Sequence, residues 1–481
     1  MGAMKKFHFI LIITASIMLI GSVTAGWIHL YISQNTIPDH VQVGGWDVGG
    51  KKKDDALKEL DAKLNGLQQQ PLTLSVEAKD VPDVTITLKN AGIMFEADAF
   101  RSAVARLYDG SWSERMNARR HFQQEWSITP HWNTALIKQR FGPAWEEKNF
   151  GKPVDATRRI TKADEVVYTP ELSVLRIDWE TFIQTMTNLI PKSFLNPDES
   201  ASPLKIKLPL YTLKPEVTIS SLKEEGIDRK IIEFNTGLGS SAAGRIYNVS
   251  SAAMAIDGMI LKPDDIFDYS KVIAKAEEKY GFREAPVILN GKLVPGIGGG
   301  ICQVSSTVYN AALRTGLQIV ERRNHSLPVS YLPKGQDATF AEGSINFRFK
   351  NTTGKSLIIR AFVEGNTLTV KFFGTFPKNT EYSLESRTVQ TLPVTEKLVE
   401  NKDIRVGAQE VLQEGKPGYI VETYQIKKVN GKIVERKRIS SDTYRAQSRL
   451  IAVHSVDPGS GNDSSGSKDQ IVEDGVSGPN F

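Results

Sequence analysis

From Phe7 to Tyr31 the chain runs through apolar and small residues without one Asp, Glu, Lys or Arg, long enough to cross a bilayer as a helix. Beyond it the hydrophobic positions fall into short periods. Val43-Gly44-Gly45-Trp46-Asp47-Val48 reads as strand and turn, and Ala56, Leu57, Leu60 and Leu64 share one face of a short helix. Two segments then read alike, as a strand running into a helix: residues 92–100 leading to Val104 and Leu107, and residues 175–179 leading to Phe182, Ile183, Met186 and Ile190. Asp98 and Asp178 stand where an N-cap belongs; a duplication and two unrelated units both fit. Asn196 to Pro215 is polar and proline-punctuated, which suggests a linker or edge strands.

Ser250 to Ile256 and Tyr269 to Tyr280 have helical spacing, the second stopped by Gly281. Residues 345–349, 357–363 and 368–373 read as strands joined by turns. From Lys378 to Val456 the alternation has period two, with Asn430-Gly431 as a hairpin turn. Gly, Ser, Asp and Asn dominate after Asp457, where a disordered tail is expected. The predicted fold class is a multidomain α+β protein: a stub and transmembrane helix over 1–34, an α+β region over 35–218, a central α+β domain with an antiparallel sheet over 219–376, an all-β module over 377–456 and a tail over 457–481.

Lys5 and Lys6 precede the apolar run and place its N-terminal side in the cytoplasm, so the body should be extracytoplasmic. A retained anchor is expected because the run continues through Trp27, Ile28 and Leu30 past the small residues Val23-Thr24-Ala25; a signal peptide cleaved there is the alternative. Net charge is +5 from 60 basic and 55 acidic residues, too balanced to argue for a nucleic-acid partner. Trp112, Trp126, Trp132 and Trp145 lie among basic residues; packing is the expected role and sugar binding the alternative. A single cysteine excludes an intramolecular disulfide, and neither a cofactor nor a metal ion is expected.

That cysteine carries the chemistry. Gly298, Gly299 and Gly300 let backbone pass close to a ligand or a second chain segment, and Val304, Val308, Ala311 and Ala312 then recur with helical spacing up to Gly316. Cys302 therefore sits at a helix N-terminus, where free amides and the macrodipole favour thiolate. The other reading makes it a small buried hydrophobe.

Gly298-Gly299-Gly300-Ile301-Cys302-Gln303-Val304-Ser305-Ser306-Thr307, Glu321-Arg322-Arg323-Asn324-His325-Ser326, Tyr331, Gly335-Gln336-Asp337-Ala338-Thr339 and Phe349-Lys350-Asn351 together resemble the VanW family. Thr236, Arg245, Asn248, Gly258 and Pro263 fall where that family has its first motif. Residues 36–220 resemble the peptidoglycan-binding region that accompanies the domain in YoaR-like proteins of Gram-positive bacteria. The stretch with Gly418-Tyr419, Tyr424, Asn430-Gly431, Arg438 and Tyr444 resembles the G-five domain.

The resemblance implies an envelope protein linked to glycopeptide resistance, acting on or binding peptidoglycan, with cysteine-dependent L,D-transpeptidase activity in some members. Cys302 would then be the nucleophile and His325, the only histidine between His131 and His454, its base. Asp337 or Asn324 would orient the imidazole. The amides from Gly300 to Gln303, with the Gln303 side chain, would form an oxyanion hole. Gly298, Gly299, Gly300, Gln303, Ser305, Ser306, Arg245 and Asn248 are the expected substrate contacts. A wall-binding scaffold with a buried Cys302 is the alternative, to be separated by whether Cys302 and His325 meet in an open groove or the thiol is enclosed.

Overall fold

A computed structural model describes residues 2–194, 203–289, 292–454 and 472–476. The chain divides into two compact units, residues 1–154 with 172–215, and residues 155–171 with 216–481. The central and C-terminal regions therefore share one unit, and a piece of the expected N-terminal region belongs with them.

The first unit opens with the helix Gly2–Ile32, exposed along most of its length and long and apolar enough to cross a membrane. Gly44 and Gly45 turn the chain at positive φ between Gln42–Val43 and Trp46–Asp47, which pair antiparallel. The helix Lys53–Gln69 buries Ala56, Leu60, Leu64 and Leu67, the face that the period predicts plus one further turn. A three-stranded sheet orders Leu204–Lys207, Pro71–Ser75 and Val84–Thr87, so part of the proline-punctuated stretch is strand; residues 195–202 of it lie outside the described residues.

The two strand-helix units are real: Ile93–Glu96 leads into Asp98–Arg106, and Val174–Ile177 into Trp179–Leu189. Asp178 caps the second by accepting the Thr181 N–H at 3.1 Å. Asp98 does not cap the first; it is already helical, and the N-cap Ala97 makes no side-chain bond. Trp126, Trp132 and Trp145 pack edge-on against Phe100, Phe182 and Phe141, as the packing reading expects, while Trp112 is exposed.

In the second unit a four-stranded antiparallel sheet runs Arg229–Gly237, Thr367–Gly374, Leu357–Glu364, Met259–Leu261. The predicted helix Tyr269–Tyr280 appears with those ends, and Gly281 follows it at φ 66°. A longer helix, Ala243–Ile256, extends the predicted 250–256 toward the N-terminus. The cysteine helix, Ile301–Arg314, is buried on every side from Ile301 to Leu313. Its polar residues consequently need internal hydrogen-bond partners.

Thr380–Leu392, Gly418–Val429 and Lys432–Tyr444 form one long sheet of the β module, turned at Asn430-Gly431, both at positive φ. Glu396–Glu400, Arg449–Val453 and Gln409–Gln413 form the second. The expectation of a structureless tail fails at Val472–Glu473, which pairs antiparallel with Glu284–Leu289. Residues 455–471 and 477–481 of that expectation lie outside the described residues.

Candidate functional site

The glycine run turns the hairpin Glu284–Leu289/Lys292–Ile297 into the cysteine helix. Gly300 is the N-cap at φ 104°, a conformation that favours glycine, and Gly299 lies so close to the hairpin that an added Cβ would come within 2.5 Å of the Pro286 carbonyl oxygen. That neighbour is backbone and cannot turn aside. Gly299→Ala should therefore destabilise the domain by about 1–3 kcal/mol, read as a lower urea midpoint with unchanged slope.

Cys302 is fully buried at the second helical position. Its N–H donates to Asp474 Oδ1 at 2.9 Å, the Phe340 N–H donates to its sulfur at 3.0 Å, and the sulfur lies 3.3 Å from the Phe340 carbonyl oxygen. Burial first, and then the negative charge of Asp474, push the thiol pKa well above its ordinary value. This reverses the expectation of a thiolate drawn from the helix terminus. The macrodipole contributes at most a kcal/mol or two, and desolvation beside a carboxylate outweighs it.

His325 is equally buried. Asp337 Oδ2 accepts both its backbone N–H and its Nδ1–H, each at 2.7 Å, which leaves Nε2 as the free ring nitrogen, buried and without a hydrogen-bond partner. Burial alone would lower the imidazole pKa, but the hydrogen bond and charge of Asp337 outweigh it and hold it above the ordinary value. In Asp337 burial is likewise outweighed, by His325 and then Arg322, so its pKa lies at about 2. The Tyr444 hydroxyl also donates to Asp337, and the Arg322 guanidinium bridges toward Asp337 at 3.6 Å and Asp442 at 2.5 Å. Between the two candidates for orienting the imidazole, the geometry selects Asp337: Asn324 instead donates to the carbonyls of His325 and Thr443.

One donor atom each from Cys302, His325 and Asp474 lies within 4.8 Å of the others, so the thiol and imidazole are neighbours though not hydrogen-bonded. The same three atoms are of a kind and spacing that could hold a metal ion. Cys302 and Asp474 already have protein partners.

The remaining predicted residues are hydrogen-bonded within the protein around this centre. Gln303 donates to Thr236 Oγ1 and the Gly237 carbonyl while accepting from Arg245, so its amide is held in the scaffold. Asn248 donates to the carbonyls of Arg283 and Gly299. Ser305 and Ser306 bond the 338 backbone. The Ile301 and Gln303 amides donate to the carbonyls of Gly298 and Gly300, and the Cys302 N–H donates to Asp474. Arg245 Nη1 also approaches Asp474, at 3.4 Å. Asp474, Tyr444, Asp442 and Arg322 were not among the expected site residues, although Tyr444 and Arg322 lie in the motifs quoted above. Arg322 lies inside a motif and could have been found; Asp474 sits in a stretch whose composition resembles a linker.

Residues 244–373 match the family model described as VanW like protein, and residues 384–453 that of the G5 domain. Uncharacterized protein YoaR of Bacillus subtilis (strain 168) is 37% identical over 171 residues, 36% of this chain and 56% of that protein. Vancomycin B-type resistance protein VanW of Enterococcus faecalis (strain ATCC 700802 / V583) is 26% identical over 151 residues, 30% of this chain and 55% of that one. The chain thus spans little more than half the length of these curated relatives. Among solved structures, an IgA1 protease G5 domain is 30% identical, with a TM-score of 0.13 over 16% of this chain and 90% of that one. The HP0197 G5 domain is also 30% identical, with a TM-score of 0.11 over 15% of this chain and 97% of that one.

Proposed function

A chain that carries a VanW-like domain and a G5 domain is, we propose, a cell-wall-associated protein whose VanW-like domain transfers acyl groups between peptidoglycan stem peptides through Cys302. The helix Gly2–Ile32 would anchor it, with Lys5 and Lys6 inside and the body at the wall. The G5 domain and the region before residue 219 would hold the glycan or stem. The observation that carries the reading is the buried imidazole of His325, with a ring nitrogen within 4.8 Å of the Cys302 sulfur, its Nδ1 held by Asp337 and its Nε2 without a hydrogen-bond partner.

In this chemistry the Cys302 thiol gives its proton to His325 Nε2 as sulfur bonds to the carbonyl carbon of a meso-diaminopimelate residue. The Cys302 N–H would receive the oxyanion. Collapse breaks the C–N bond, the imidazolium protonates the departing D-alanine amine, and a thioester remains. An acceptor side-chain amine then attacks the thioester and passes a proton through Nε2 to the leaving thiolate. Atoms and charge balance without a cofactor.

A second reading, a non-catalytic wall-binding protein accessory to glycopeptide resistance, draws on the enclosed thiol and its raised pKa. One experiment separates the two. Incubated with disaccharide-tetrapeptides, the full chain and its Asp474→Ala form should yield cross-linked dimers by mass spectrometry, and His325→Ala should slow their formation about 10²–10⁴-fold. Dimers from neither form would leave the binding protein.

A further inference from the structure

The backbone of residues 472–476 lies in a slot beside the candidate nucleophile. On one side Val472–Glu473 extends the hairpin sheet, with Ile288 opposite Glu473 and Leu289 opposite Val472. On the other, Gly475 bridges in parallel to Ala341, and the Asp474 N–H reaches the Phe340 carbonyl oxygen at 3.3 Å. The Val476 N–H then donates to the Ile297 carbonyl at 2.9 Å.

Two carboxylates are received along this path. Glu473 Oε2 accepts the Ser326 N–H and its hydroxyl, each at 2.9 Å. Asp474 accepts the Cys302 N–H at 2.9 Å and faces Arg245 at 3.4 Å. The slot fits backbone closely: a Cβ on Gly475 would lie 2.4 Å from Val287 Cγ1, and one on Gly298 would lie 3.1 Å from the Val476 nitrogen. The buried Cys302 amide in the first helical turn needs an acceptor, and the one it has is a full carboxylate. Its presence there, within 4.8 Å of a ring nitrogen of the buried His325, whose Nε2 has no hydrogen-bond partner, marks a place built for an anion.

We propose that this slot is a strand-addition peptide site with two carboxylate subsites, at Ser326 and at Cys302 with Arg245, and that Val472–Val476 is its intramolecular ligand. The class of ligand is an extended acidic peptide, held by main-chain pairing and by its carboxylates. Because Asp474 covers the Cys302 amide, the bound tail excludes an acyl donor; this consequence rests on the transpeptidase reading. A donor peptide reaches the thiol only after the tail leaves.

The test uses the full chain in detergent and exploits its single cysteine. Iodoacetamide labelling, followed by intact mass, should be at least about tenfold faster in Glu473→Ala/Asp474→Ala than in the wild type, since two charge-assisted contacts are removed. Gly475→Val, which keeps both carboxylates but cannot fit against Val287, should show the same acceleration. A synthetic peptide of residues 471–477 should slow labelling of the double variant toward the wild-type rate, and its double-alanine form should not.

Equal labelling rates in the wild type and in both variants, each melting cooperatively, would overturn the proposal, as would a peptide without effect. EDTA that brings the wild type up to the variants' rate would also overturn it, making a cation on Cys302, His325 and Asp474 the occupant. Fast labelling and peptide capture with no cross-linked dimers would fell the transpeptidase reading and leave this one standing. Dimers formed equally fast by the wild type and both variants would do the reverse.

Discussion

Cys302→Ala should abolish dimer formation from disaccharide-tetrapeptides, a loss of more than about 10⁴-fold, because no other residue in the chain can form the thioester. Stability should change far less. The substitution removes one buried sulfur and its hydrogen bonds with Phe340, about 1–2 kcal/mol, while the helix keeps its Asp474 cap. Activity by mass spectrometry and unfolding in urea, measured on one preparation, therefore separate. An alanine variant that cross-links at the wild-type rate would end the enzymatic reading whatever its stability.

Asp337→Asn should damage both properties. Asp337 accepts from His325 and Tyr444 and faces Arg322, so removing its charge leaves the buried imidazole without its counter-ion and the guanidinium with Asp442 alone. Breaking a buried pair in this way costs about 3–5 kcal/mol. Turnover should fall about 10⁴-fold, since an amide no longer enforces the tautomer that leaves Nε2 free to accept a proton.

The stability gap between the wild type and this variant should also depend on pH, with a sign that follows from the two shifts. A carboxyl held at about 2 in the folded chain contributes stability that is present above its unfolded pKa, near 4, and is lost as pH falls through about 2. An imidazole whose folded pKa is raised contributes stability that is present below its unfolded value, near 6.5, and is lost as pH rises through the folded one. The gap should therefore be widest between about pH 4 and 6.5 and narrow on both sides. A gap that stays flat from pH 3 to 8 would show that Asp337 and His325 do not form this ion pair in solution.

The domain boundary drawn at residue 377 illustrates how far linear patterns reach. The β module has its own alternation and its own hairpin turn, yet it shares one unit with the central domain. Tyr444 and Asp442, both within its last long strand, bind Asp337 and Arg322. Deleting the module would therefore strip partners from buried charges. No period along 377–456 signals this, because the contacts join residues more than a hundred positions apart.

What the sequence by itself determined is local. The uncharged apolar run, the helix Tyr269–Tyr280 with its glycine stop, the turn at Asn430-Gly431 and the glycine entry to the Ile301–Arg314 helix all follow from backbone geometry and near-neighbour side chains. That Cys302 and His325 belong to one centre was expected from the motifs, and the fold brings their donor atoms to within 4.8 Å. The chemical state of that centre was not legible there. The tertiary structure decided that Asp337 rather than Asn324 holds the ring, which neighbours Gln303, Asn248 and Ser305 bond, and that Asp474, 172 positions downstream, caps the cysteine amide. A thiol's protonation depends on what excludes water from it and which charge lies beside it. Both come from chain segments that meet Cys302 only when the fold closes around it.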